Sequence, residues 1–393
     1  MKKNKTILLI INDSWGEVDW ILPVMHYLKN QWDPKIIVYF NSDEAYYEKD
    51  ENQDLYLVLN QISSDILTPS RLLSKARNGK DNFHTVHDRL VDRLGRSIDY
   101  IFHDYSGVNF TQFYKDFPKA KIVVFPHGTF VYGWLDKVLK LQVSKSLFFK
   151  QIRPEALLLV GTERDSKCFN EITNIKNIVV SGHPKLNRSW LKVLQRKGHD
   201  EKFLAEKKEN LSILLIQYPR RRIKIKEVYD NFIFSILDLS NKYNFDITVK
   251  RHPRQDKDEL NSLINNDKGV KVKLARESVL RSASKSFLAI SLPSSACMDA
   301  VISGIPVIEY FDFEGQDWGT FIKEKNKSTS IYRKLNLVLA ANNPSELSEE
   351  INKLIGDEIY YNKISSKQYE SMISLELIIK DSLNLIDSAI ENL

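Results

Sequence analysis

Phe287-Leu-Ala-Ile-Ser-Leu-Pro-Ser-Ser-Ala-Cys-Met-Asp-Ala-Val-Ile-Ser-Gly-Ile-Pro-Val-Ile-Glu309 reads as a short apolar strand, a serine-rich turn, an amphipathic helix and a second strand. That order is a βαβ unit, and it sets the fold class as α/β. Ser294 or Ser295 is placed to cap the helix, so that first-turn amides and the positive end of the dipole meet whatever lies above the strand ends. Gly304 closes the helix, and Pro306 turns the chain into the next strand. Capped turns of this kind occur throughout α/β proteins. What marks this one is its company: His127-Gly-Thr, His183-Pro and His252-Pro-Arg also follow apolar runs.

At 393 residues the chain is longer than one hydrophobic core usually serves, so two domains are expected. The apolar fraction of 42% and charged fraction of 27% are those of a globular protein. The first apolar run, Ile7–Ile11, is too short for a signal peptide or a membrane span, and no later run reaches spanning length. Cys168 and Cys297 cannot form a disulfide framework and have no partner at zinc spacing, which fits a reducing, cytoplasmic setting. A formal charge of +6 suits an anionic substrate or lipid surface. Nothing resembles a nucleic-acid-binding module, so no nucleic-acid partner is expected.

Taken in order, Thr6–Ile11 predicts a buried parallel strand, Asn12–Asp19 a polar turn and Trp20–Lys29 a helix. Further strands are expected at 35–40, 55–59, 100–103, 121–125, 156–161 and 177–181, with helices at 71–94, 110–117 and 163–171. A second series then follows the charged stretch Asn187–Lys208. Its strands are expected at 211–216, 246–250, 270–272, 286–290, 306–309 and 336–340, and its helices at 225–243, 257–265 and 294–303. Asn343-Pro344-Ser345-Glu346 starts another helix, and 365–392 closes the chain with one or two more. This alternation predicts two consecutive Rossmann-like α/β domains, 1–190 and 191–364, with a helical segment at 365–393. Such a pair is the architecture of B-type glycosyltransferases, whose ligands lie in a cleft at the strand C-termini.

His127 ends a strand between Pro126 and Gly128, where a neutral imidazole suits a general base for an acceptor hydroxyl. Glu17 and Asp19, in the first βα turn, are rival bases. Thr248-Val-Lys-Arg-His-Pro-Arg254 gathers Lys250, Arg251, His252 and Arg254 at another strand end, a set suited to phosphate oxygens. Glu309 is expected to accept ribose hydroxyls, as acidic residues do in other nucleotide folds, or to pair with a lysine. His183-Pro184 reads as a structural turn that shapes the end of the first domain. No acidic or histidine cluster has metal-ligand spacing, and no glycine-rich phosphate fingerprint is present, so catalysis without metal or cofactor is expected. The stretch Trp134–Arg153 mixes Trp134, Leu135, Phe148 and Phe149 with Lys137, Lys140, Lys145 and Lys150. A basic amphipathic helix there could lie on an anionic bilayer at the inner face of the membrane, or pack on the domain.

His127-Gly-Thr, Lys250-Arg-His252-Pro and Ser294-Ser295 with Asp299 and Gly304-Ile-Pro-Val-Ile resemble, in this order, the motifs of CDP-glycerol glycerophosphotransferases. The histidine-proline and serine motifs are also similar to those of capsule polysialyltransferases, and the C-terminal unit more loosely resembles UDP-GlcNAc 2-epimerases. The resemblance implies a B-type fold and metal independence. It also implies a nucleotide-activated sugar (CMP, CDP or UDP) as donor and a glycan or lipid-linked acceptor in surface polysaccharide assembly. By it His127 would be the base, His252 would bind the donor phosphate, and Ser294 and Ser295 would cradle it. Phe125-Pro stands where the glycerophosphotransferases tend to carry a tryptophan, and the acidic pair before glycine of polysialyltransferases is not evident. The leading expectation is a glycosyltransferase. Its rivals are a polyol-phosphate transferase, an epimerase and a non-catalytic sugar-nucleotide-binding subunit.

Overall fold

The computed structural model describes residues 5–12, 14–73, 83–95, 97–105, 110–126, 151–195, 211–218, 226–252, 271–312, 321–324 and 327–393. They fall into two compact units, Met1–Leu191 with Glu376–Leu393, and Lys192–Leu375.

The first unit is built on β1 (Thr6–Ile11), β2 (Lys35–Phe40), β3 (Asp65–Leu67), β4 (Tyr100–Asp104), β5 (Lys121–Phe125), β6 (Leu157–Val160) and β7 (Asn177–Val180). They form one sheet in the order β3-β2-β1-β4-β5-β6-β7, with every neighbouring pair parallel. Ile7 through Ile11 are all buried, as a strand covered on both faces requires. Leu8, Ile10, Ile37, Ile101, Val124 and Leu158 share one core with α5 (Phe83–Leu94) and α6 (Phe110–Asp116). α1 (Trp15–Trp32) follows β1, and its Trp20 stacks on Phe125 at 5.5 Å. The last helix, Ser382–Glu391, belongs to this unit: Asn187 Nδ2 donates to Ser382 Oγ at 3.0 Å, and Tyr27 donates to Asn384. Its approach is tight at Gly182, whose φ is 64° and where a Cβ would meet Leu377 O at 3.1 Å.

The second unit holds β8 (Ser212–Ile216), β9 (Asp246–Lys250), β10 (Val272–Leu274), β11 (Leu288–Ser291), β12 (Val307–Tyr310) and β15 (Leu339–Ala341). Their order is β10-β9-β8-β11-β12-β15, again parallel throughout. Ile213, Leu215, Ile247, Leu288 and Ile308 pack with Phe232 and Ile236 of helix Lys226–Tyr243 and Leu347 and Ile351 of helix Pro344–Gly356. Asn343 caps that last helix, its side chain accepting from Glu346 N at 2.9 Å, with Pro344 at the first turn. Both sheets grow outward in two directions from their first strand. This creates a switch point between β1 and β4 and another between β8 and β11, the place where open α/β sheets bind ligands.

Several expectations are corrected. Residues 55–59 are not a strand but part of α3 (Gln53–Ile62), because Leu55, Leu59 and Ile62 recur at helical spacing and are buried together. α1 begins at Trp15, so Glu17 and Asp19 lie in a helix and not in a turn. The helix expected from Ser294 is shorter, Cys297–Ile302, with Ala296 at its cap position and no side-chain cap bond. The charged stretch after 187 contains helix Arg188–Gln195, anchored by buried Trp190 and Leu194. A two-stranded antiparallel hairpin, β13 (Phe321–Glu324) with β14 (Lys327–Ser330), was not expected. The chain's closing helices divide, Glu358–Ser374 belonging to the second unit and Ser382–Glu391 to the first. The helix expected at 257–265 and all but the last residues of Trp134–Arg153 lie outside the described residues. No helix among the described residues is long and apolar enough to cross a membrane.

Candidate functional site

In the second unit, register aligns one row across the sheet: Lys250 beside Ile216, Ile216 beside Ser291, and Ser291 beside Glu309. The loops that leave this row carry most of the residues singled out from sequence. β9 continues into buried Arg251 and half-buried His252, and β8 into Gln217 and Tyr218. The Tyr218 and His252 rings lie 5.7 Å apart, joining the ends of two adjacent strands. β11 leads into Ser294 and Ser295, both half-buried, in a turn that precedes the short helix. Ser294 Oγ accepts from Ala296 N at 3.3 Å, and the backbone closes with Cys297 N and Met298 N donating to Ser294 O and Ser295 O. Ser295 is also bonded to the buried phenol of Tyr332, whose pKa is raised well above the ordinary value by burial, with Cys297, Glu309 and Tyr218 nearby. His252, Tyr218, Ser294 and Ser295 thus gather over three neighbouring strands, β9, β8 and β11, at the switch point. Hydrogen-bond donors on such an edge can hold an anionic group.

Two of the expected donor-site side chains are engaged inside the unit. Lys250 is buried and its Nζ donates to Glu277 O at 2.8 Å. Glu309 is 1% exposed, and its carboxylate lies 2.6 Å from Arg333 Nε. Burial raises the Glu309 carboxyl, while Arg333 and the Ser330 hydroxyl pull it down. Arg333 further donates to Glu309 O, Phe311 O and Ala341 O, at 2.9, 3.1 and 3.1 Å, so it clasps the ends of β12 and β15. The acid was expected to face ribose or a lysine; it faces an arginine. Arg254 lies outside the described residues.

In the first unit, β5 ends at Phe125-Pro126, directly before His127, which lies outside the described residues. Glu17 is buried and its Oε2 accepts from Asn12 N at 2.8 Å, tying the β1 turn to α1. Asp19 pairs with Lys185 Nζ at 3.0 Å. Neither acid is displayed in an open loop. The structure adds residues that sequence reading passed over. His103 and Asp104 end β4 beside β5, both fully buried. His103 Nδ1 donates to Asp104 O at 2.9 Å and its Nε2 accepts from Tyr114 at 2.7 Å, so its tautomer is set; burial lowers its pKa to about 4. His183 Nδ1 accepts from Trp20 Nε1 at 3.2 Å, which places the proton on Nε2, and burial with Lys185 nearby lowers its pKa to about 3. That ring needs Gly161, where a Cβ would come within 2.6 Å of His183 Nε2. The signal for Asp104 was the polar pair His103-Asp104 ending an apolar strand; Arg333, Tyr332 and Tyr218 carried none.

Residues 68–310, well over half the chain and parts of both units, match the family model described as alpha-2,8-polysialyltransferase (POLYST). The chain belongs to the alpha-2,8-polysialyltransferase family. No curated protein matches it by sequence. Among solved structures it is similar in fold to the UDP-GlcNAc 2-epimerase from Neisseria meningitidis bound to UDP-GlcNAc. That likeness has 15% identity and TM-score 0.64, and covers 99% of this chain and 100% of that one. It is also similar to the UDP-GlcNAc 2-epimerase from Methanocaldococcus jannaschii, at 14% identity, TM-score 0.55 and coverage of 94% and 98%. A glycosyltransferase from Rickettsia africae matches at 14% identity, TM-score 0.54 and coverage of 98% and 97%. The polysialyltransferase family membership makes the chain a glycosyltransferase, and its fold of two parallel-sheet α/β units is the one shared with these GT-B-type structures.

Proposed function

We propose that this polysialyltransferase-family protein transfers a sugar from a CMP-, CDP- or UDP-activated donor to a growing surface polysaccharide, with CMP-activated sialic acid the first donor to test. The observation that supports a donor site in the second unit is the gathering of His252, Tyr218, Ser294 and Ser295 over β9, β8 and β11 at the switch point. In this reading His252 and the Ser294–Ser295 turn donate to the donor phosphate, with Arg251 and Arg254 adding charge. His127, neutral, takes the proton of the acceptor hydroxyl as its oxygen attacks the anomeric carbon. The bond from that carbon to phosphate breaks, and the phosphate oxygen leaves with the electron pair, stabilised by those donors. No metal takes part, and the work is done at the cytoplasmic face of the membrane on a glycan or lipid-linked acceptor.

The test is release of the nucleotide from CMP-sialic acid, CDP-glycerol and UDP-sugars, with and without oligosaccharide acceptors and with chelator present. Nucleotide released only with an acceptor, and undiminished by chelator, supports transfer; sugar converted from donor alone would point to epimerisation and overturn it. Removing a general base costs about 10²–10⁴ in rate, so His127→Ala should lower kcat with donor affinity intact. His252→Ala should also raise the donor KM, because a phosphate contact acts in both ground and transition states. A His127→Ala enzyme with wild-type kcat would remove the base assignment.

A further inference from the structure

In the second unit the serine turn after β11 meets a buried tyrosine that comes from a distant part of the chain. Tyr332 is 4% exposed and belongs to the one-turn helix Ile331–Lys334, which follows β14. Its backbone is held on both sides. Ser330 Oγ caps the helix by accepting from Arg333 N at 3.1 Å, and Tyr332 O accepts from Leu337 N at 2.9 Å. Arg333, the next residue, pairs with Glu309 and clasps the ends of β12 and β15. Anchored in this way, the phenol lies among groups from three strand ends: Tyr218 after β8, Ser295 and Cys297 after β11, and Glu309 on β12.

The hydroxyl of Tyr332 is bonded to Ser295, its partner among the described residues. Proton bookkeeping gives that bond a direction. A buried phenol keeps its proton and has one O–H to place, and a buried O–H with no acceptor loses its hydration for nothing in return. Tyr332 is therefore the donor and Ser295 Oγ the acceptor. A serine whose oxygen is already engaged by a donor still has its own proton to give. Ser294 is in the same condition, since its Oγ accepts from Ala296 N at 3.3 Å. Both serines are half-buried, so the turn offers two O–H groups whose oxygens are occupied from inside the protein. That arrangement suits a ligand atom that only accepts, and ionised phosphate oxygens are such atoms.

We propose that Tyr332 is a positioning residue, which by donating to Ser295 Oγ commits the Ser295 proton to a phosphate oxygen of the nucleotide-activated donor. The proposal rests on the reading that the serine turn receives the donor phosphate, and it adds the residue that sets which way one of the two hydroxyls points. Tyr332 touches no substrate atom in this role. Without its O–H, the Ser295 hydroxyl is free to rotate, and part of its preorganisation toward the anion is lost.

The experiment titrates the full chain with CMP, CDP and UDP by calorimetry and follows the tightest of them through a double-mutant cycle. Ser295→Ala should weaken it by roughly tenfold and Tyr332→Phe by roughly fivefold. In the Ser295→Ala background, Tyr332→Phe should have no further effect, because the hydroxyl it directs is gone. A tyrosine that only packs would weaken binding by the same factor in both backgrounds, and that result would overturn the proposal. So would a folded Tyr332→Phe protein with wild-type affinity; thermal midpoints report the folding of each variant. Should Tyr332→Phe not fold, Ser295→Ala decides: a tenfold loss supports the proposal and unchanged affinity overturns it. Failure of all three nucleotides to bind would remove the donor site and this role with it. If the cycle behaves as described but no donor supports transfer, the transfer reading fails and the positioning role stands. If transfer proceeds with the same donor KM in Tyr332→Phe and wild type, the positioning role fails alone.

Discussion

Replacing Arg333 by methionine would leave Glu309 with a buried carboxylate and no opposite charge at contact distance. The two side chains are 9% and 1% exposed and 2.6 Å apart, so solvent screens little of the interaction. Breaking a buried ion pair from one side typically costs about 3–5 kcal/mol, most of it the penalty of the stranded charge. The same change removes the bonds from Arg333 to the carbonyls of Glu309, Phe311 and Ala341, which pushes the loss toward the upper end. For a unit of this size that corresponds to a fall of roughly 10 °C in the melting transition. Calorimetric scans can resolve the transitions of the two units, and the double variant Glu309→Gln with Arg333→Met should recover part of the loss. The pH dependence gives an independent check. Burial already raises the Glu309 carboxyl, and without Arg333 it should rise further. A carboxyl whose folded pKa exceeds its unfolded one binds its proton more tightly in the folded state, so stability falls as pH increases through that interval. The deficit of Arg333→Met should therefore be largest near about pH 8 and shrink toward about pH 5. A midpoint unchanged from wild type, or a deficit that grows in acid, would refute the buried clasp and return Glu309 to the list of groups able to meet a ligand.

His103 and His183 are both held neutral by burial, at about 4 and about 3 against an ordinary 6.5, so the unfolded chain binds protons first on acidification. Stability from these two groups is complete above pH 6.5 and should be lost as pH falls from there toward 4; urea midpoints across that range should show the slope, and His183→Gln should reduce it. A flat wild-type profile would contradict the burial of both rings. Residues 134–153 should bring the chain to anionic vesicles, with co-sedimentation falling as salt rises, whereas no binding at low salt would return the stretch to a packed face.

Periodicity by itself determined the α/β class, the two series of parallel strands and most strand positions, because a strand covered on both faces has to be apolar almost throughout, as Ile7–Ile11 are; it passed over the three-residue β3 and the β13–β14 hairpin. It also determined the capped start at Asn343-Pro344, a signal contained within four residues. It misread 55–59, where Leu55 and Leu59 fit either period locally and only their joint burial with Ile62 selects the helix. The strand-end histidine and the serine turn were legible as motifs, since each is a short run after an apolar strand; that His252 lies against Tyr218, and that the serine turn leaves the next strand on the same edge, depends on strand order and register. The same holds for contacts between side chains far apart in the chain. Glu309 meets Arg333 across 24 positions, and His183 receives its hydrogen bond from Trp20 across 163, contacts that no local pattern encodes. Glu17 looked like an open-loop acid, but α1 begins two residues before it, at Trp15, and carries it inward. Local chemistry thus named the groups, and the folded sheets decided which of them lie at the strand ends and which hold each other, because burial and pairing are properties of where strands lie side by side.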